Sequence, residues 1–130
     1  MQRGSALLYI LVAVLVLAVL ALPISLLHYM DLQRYRYEVA RLQARYLAES
    51  AVFRAVAEGS DSPNTWFDLS VDGQPLGRYR YLSPQSVAGG TRYVGEGETA
   101  GGPLNYGLRV AWRVAATVNG GSIVAWEENP

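Results

Sequence analysis

Few side chains in this sequence are of types that do chemistry, and each has a simpler structural use. There is one histidine, His28, which leaves Ser-His and His-His arrangements without a partner. It follows an apolar run and reads as a residue at the edge of a membrane. There is no cysteine, so thiolate nucleophiles, disulfide frameworks and Cys-based metal sites are excluded. Arg78-Tyr79-Arg80-Tyr81 has the residue types that stack on and neutralise single-stranded nucleic acid. The same spacing describes a strand with Tyr inward and Arg outward. Eleven arginines balance eleven acids, which gives no electrostatic case for nucleic acid. Glu96, Glu98, Glu127 and Glu128 could together attract a hard cation, but they lack the regular spacing of a ligand loop. No Ser, Asp or Glu pair falls in a catalytic motif. The expectation is no enzyme, no metal and no cofactor. One acid remains, Glu49, on an otherwise apolar helical stripe. It reads as a side chain that reaches solvent, pairs with an arginine of the C-terminal region, or makes a subunit contact.

The elements that would carry these residues divide the chain sharply. Ala6–Leu27 has no charge and holds fifteen Leu, Ile and Val. As a helix, 22 residues span about 33 Å, against a hydrocarbon core of about 30 Å. Insertion is favoured by roughly 4 to 9 kcal/mol. The run is longer than a secretory signal's apolar region and lacks an Ala-x-Ala cut site after it. Residues 28–58 contain neither Gly nor Pro and are rich in helix formers. Larger residues recur at Leu32, Tyr35, Val39, Leu42, Tyr46, Phe53 and Val56, with Glu49 filling the gap. This predicts one apolar helix face, covered by the region after residue 63. Gly59 to Pro63 is a stop signal. One helix is therefore expected from about Ser5 to Glu58, kinked at Pro23.

Arg3-Gly4 immediately before an apolar run resembles a prepilin-type leader. A short basic leader, a membrane helix and an uninterrupted amphipathic extension together resemble a type IV pilin-like subunit. Ala48-Glu49-Ser50-Ala51 is similar to an Ala-Glu-Ser-Gly motif of PilX-type minor pilins and K-type minor pseudopilins, with Ala51 where Gly is usual. The resemblance implies a leader at 1–4, cut by a prepilin peptidase between Gly4 and Ser5, and N-methylation of Ser5. It implies a membrane helix at 5–27, a helical extension at 28–58 and partners that are other pilin or pseudopilin subunits. It places the protein in the cytoplasmic (inner) membrane with the C-terminal region outside, and in a surface filament after assembly. The family's usual fifth mature residue is Glu, whereas here it is Tyr9. A phenol is uncharged near neutral pH, so Tyr9 cannot neutralise a neighbour's ammonium. That departure resembles minor subunits placed at a filament tip. The arginines after the span (Arg34, Arg36, Arg41 and Arg45) weigh against this orientation by the positive-inside count. The alternative is a plain single-span membrane protein whose extracytoplasmic domain binds a partner.

Residues 64–130 read as a small antiparallel β domain, giving an α+β fold with the long helix packed on the sheet. Strands are expected at Thr65–Val71 and Gly77–Leu82, joined through the tight-turn pair Asp72-Gly73. Residues 83–105, rich in Gly, Ser, Pro and Glu, read as a long loop holding at most a short strand at Arg92–Val94. Leu108–Val118 alternates strictly, with Trp112, Val114 and Ala116 on the face expected to meet the helix. Asn119-Gly120 fits a two-residue type I′ turn. That register would place Ala116 opposite Ile123, Val114 opposite Ala125, and Arg113 near Trp126 in a cation–π contact.

Overall fold

The computed structural model describes residues 2–129 and comprises two units, Met1–Tyr35 and Arg36–Pro130. A single helix, α1 (Gln2–Glu58), belongs to both. It stops where the sequence says it should: Gly59 takes φ 86°, the left-handed conformation that closes many helices. Pro23 lies inside α1. Its missing N–H leaves the Val19 carbonyl without the usual intrahelical donor. In the first unit every residue from Arg3 to Leu32 is exposed. The helix is long and apolar enough there to cross a membrane.

The second unit is an antiparallel sheet with the C-terminal half of α1 against one face. The strands are β1 (Phe67–Val71), β2 (Gln74–Tyr81), β3 (Gln85–Val87), β4 (Gly90–Thr99), β5 (Ala111–Asn119) and β6 (Ser122–Glu128). Their order is β1-β2-β4-β5-β6, and β3 pairs with the first residues of β4. Thus the α+β fold is as expected, as is the turn at Asp72-Gly73.

The helix meets the sheet through its smallest residues. Ala40, Ala44, Ala48, Ala51 and Ala55 are buried, with Leu47 and Val52 among them. Facing them are Gly77, Gly95 and Gly97. A Cβ on Gly97 would lie 2.5 Å from the Ala48 nitrogen and 2.7 Å from the Leu47 Cβ, and would also overlap the Ala44 carbonyl oxygen. Backbone therefore lies on backbone, an approach only glycine permits. On one flank Val52 and Ala48 pack on Val114 and Ala116, bordered by Tyr93 and Trp112. On the other, Ala51 and Ala55 pack on Tyr81, bordered by Phe67 and Tyr79. The Trp112 face of β5 does meet the helix. The buried Asn105 amide, at the end of a 3₁₀ turn (Pro103–Asn105), donates to Gln43 Oε1 at 2.6 Å and to the Leu76 carbonyl at 3.0 Å. These bonds tie the turn to the helix.

Three expectations are corrected. First, 83–105 is not a loop, since β4 is the central strand of the sheet. Its glycines lower strand propensity but are what the helix contact needs. Second, the last turn is Gly120-Gly121, both at positive φ, and Asn119 pairs with Ser122. Ala116 therefore lies opposite Trp126, and Val114 opposite Glu128. Val118 pairs with Ile123 and Thr117 with Ala125, which leaves Val124 as an unpaired bulge in the edge strand β6. Third, the large residues of the helix are not its buried face. Leu42, Tyr46, Phe53 and Val56 are 55%, 57%, 53% and 38% exposed. Large side chains there would hold the helix off the glycines of β4, so the alanine face turns inward instead.

Candidate functional site

The solvent face of the sheet is a layer of arginine–carboxylate pairs. Side chains alternate along a strand, so Tyr79 and Tyr81 turn to the helix while Arg78 and Arg80 turn away. Arg78 pairs with Glu98 at 3.1 Å and Arg80 with Glu96 at 2.7 Å. Arg113 closes on the other oxygen of Glu96, and Arg92 pairs with Glu127 at 3.1 Å. The Trp66 ring lies beside both Arg78 and Arg80, at 4.3 and 4.6 Å from their guanidinium carbons. Burial pushes the Glu96 carboxyl up, but hydrogen bonds from Arg80 and Arg113 outweigh it and hold the group below its ordinary value. Glu96 is therefore a fixed anion at neutral pH rather than a proton donor. Arg113 makes this bond across to β4, not the cation–π contact with Trp126 expected from sequence. Trp126 instead meets Phe53 of the helix, with ring centroids 6.3 Å apart.

The four glutamates considered for a cation are thus turned to arginines, because Glu128 reaches Arg45. Among the described residues no group of three or more His, Asp or Glu is placed to hold a metal ion. Of the Arg-Tyr run, Tyr81 is buried and its hydroxyl accepts a hydrogen bond from the Ser62 N–H at 3.0 Å. Arg54 donates to the Tyr79 hydroxyl at 3.0 Å. The run is a structural strand whose cations are already engaged.

Glu49 is half-buried and pairs with Arg45, one turn earlier on its own helix, at 3.0 Å. Gly4, Ser5, Tyr9, Pro23 and His28 all lie on the exposed first part of α1. Gly4 has no atom within 4 Å of where a Cβ would stand. The fold therefore does not require glycine at this position. Tyr9 follows Ser5 by one helical turn and is 75% exposed. Sequence reasoning missed the alanine and glycine faces that bring helix and sheet together. The recurrence of Ala40, Ala44, Ala48, Ala51 and Ala55 at steps of 3 and 4 was the available signal.

No protein-family model, curated protein or solved structure matches this chain. Its architecture, a long N-terminal helix apolar in its first half and packed in its second half on an antiparallel sheet, is pilin-like.

Proposed function

We propose that this chain is a minor pilin or pseudopilin, a non-enzymatic subunit of a type IV pilus-like filament. The observation that carries the reading is the use of one unbroken helix for two purposes. Its first part is exposed and, from Ala6 to Leu27, apolar, and its second half packs into the core of a folded domain. An apolar helix of this length is unstable in water and stable in a bilayer or among similar helices. Removal of Met1–Gly4 would leave Ser5 as the first residue of that helix. Tyr9, in place of the family's carboxylate, favours a position at the filament tip, where no subunit above offers an ammonium to neutralise. Tyr9 equally suits a plain single-span anchor carrying a partner-binding domain, and the same experiment separates the two. In cells with a prepilin peptidase the mass should correspond to a chain starting at Ser5, with a methyl group added. In cells lacking the peptidase, or in a Gly4→Trp variant, it should correspond to the uncut chain. An uncut mass in the peptidase-containing strain overturns the filament reading in favour of the single-span anchor.

A further inference from the structure

The unpaired cations of the second unit gather at one end. Of its nine arginines, seven pair with carboxylates. Among the described residues, Arg36 and Arg109 do not. Arg36 is the first residue of the unit. Arg109 lies in the segment 100–110 between β4 and β5. That segment packs on the nearby turns of α1, where Gln43 donates to the Leu104 carbonyl at 2.9 Å and accepts from Asn105 at 2.6 Å. It contains no acid. Tyr106 stands in it at φ 54° and ψ 33°, a left-handed backbone that a ring-bearing residue seldom takes. Glycine or asparagine would hold the turn at less cost, so the turn alone gives no reason for a tyrosine. The Tyr106 ring is 46% exposed, with the Arg36 guanidinium carbon 5.6 Å from its centroid.

Chain length says what this end can meet. α1 enters the unit nine residues after Leu27, the last residue of the apolar run. Even drawn out straight, nine residues reach only about 30 Å. With the run in a bilayer, this end is tethered within reach of the headgroups, at a high effective concentration. Tyrosine beside arginine suits that layer, the amphipathic ring at the boundary and the guanidinium on a phosphate. We infer that the segment 100–110 docks on a bilayer surface carrying anionic phospholipid, with Tyr106 in the interface and Arg36 and Arg109 on lipid phosphates. Of the acids at this end, Glu38 is held by Arg41. Asp68 lines a hollow with Arg109 without an ion pair to it, and Asp72 sits in the turn between β1 and β2, outside the segment. The inference rests on the apolar run lying in a bilayer, which the filament and single-span readings share, and not on leader cleavage.

The chain has no cysteine, so one introduced thiol takes a fluorophore at one place. Pro103→Cys labels the segment. Ala88→Cys, exposed in the turn between β3 and β4, labels the far end of β4. Each labelled full-length chain is inserted into vesicles of phosphatidylethanolamine and phosphatidylglycerol and recovered by flotation. The quencher is a lipid with a nitroxide on its headgroup. Quenching at position 103 should exceed that at position 88 by at least about fivefold. Arg36→Gln and Arg109→Gln should each lower the docked-to-undocked ratio about fivefold, the weight of one cation near an anionic surface. Arg36→Lys and Arg109→Lys should keep most of it. Vesicles of phosphatidylcholine alone should lower the ratio at least as far as either Gln variant. Equal quenching at 103 and 88, no change on removing the charges or the anionic lipid, or equal losses in the Gln and Lys variants would each overturn the docking. Cut and uncut chains serve alike in this assay, so it and the leader reading fall separately.

Discussion

Replacing Gly97 by alanine adds one methyl group, and the structure says that methyl has nowhere to go. Its carbon would lie 2.5 Å from the Ala48 nitrogen and 2.7 Å from the Leu47 Cβ, and would overlap the Ala44 carbonyl oxygen. Ordinary contacts are about 3.5–4.0 Å. Relief thus needs a helix displacement on the order of 1 Å. Two of the three obstructing atoms are backbone, so no rotamer change provides it. A shift of that size would loosen Val52 against Val114 and Ala51 against Tyr81 together. Overpacking usually costs about 1–3 kcal/mol, and this site belongs at the upper end. For a domain of this size about 3 kcal/mol lowers the melting temperature by about 12–24 °C. The assay is thermal unfolding of the full-length protein in mild detergent, followed by tryptophan fluorescence. Gly102→Ala is the control, since its Cβ would meet only Pro75 at 3.6 Å, and it should melt near the parent. Adding Leu47→Ala should not rescue Gly97→Ala, because the backbone contacts remain. If Gly97→Ala melts within about 2 °C of the parent, which by size scaling is below 1 kcal/mol, the close helix–sheet contact is wrong.

Two further substitutions read the helix faces and the sheet. Leu47→Ala, at a fully buried position, should cost about 2–5 kcal/mol. Tyr46→Ala, one residue away on the open face, should change stability by about 0.5 kcal/mol or less. The order of their melting temperatures checks the orientation of α1. Glu96→Gln should be less stable than the parent by an amount that depends on pH. The native Glu96 carboxyl lies below its ordinary value. Its contribution is therefore full above the unfolded-state value and is lost as pH falls through the native one. The gap between parent and Glu96→Gln in denaturant midpoint should be constant near neutral pH and should narrow in acid. A gap unchanged on acidification would show that the Arg80 and Arg113 contacts do not favour the charged form.

The long-range plan of the fold could be read from sequence, because length, hydropathy and stop signals are strong over the span from Ala6 to Gly59. The Asp72-Gly73 turn and the alternation of Trp112, Val114 and Ala116 were legible for the same reason: local chemistry and tertiary role agree there. The failures share one cause. Side-chain size points the row containing Leu42, Tyr46 and Phe53 to the core. Yet closeness of approach, not size, selects what lies between this helix and this sheet. Gly95 and Gly97 are poor strand formers by propensity and suggest a loop, while the helix above them requires a strand without side chains on that face. The hairpin register failed for a smaller reason. Asn119-Gly120 and Gly120-Gly121 both make tight turns, and only the pairing of Asn119 with Ser122 chooses between them. Glu49 is legible as an anomaly, but its pairing with Arg45 on the same helix is none of the three readings its position suggests: solvent, an arginine of the C-terminal region, or a subunit contact.

The unpaired Val124 bears on how closely such domains can crowd. An extended segment from a neighbour, laid along β6, would match backbone donors and acceptors at Ser122 and Ile123, then fall out of step at the extra residue. The carboxylates of Glu127 and Glu128 await it at the far end, already claimed by Arg92 and Arg45. Domains brought side by side along this edge therefore find no continuous rim on β6 on which to fuse into a common, irreversible β-stack.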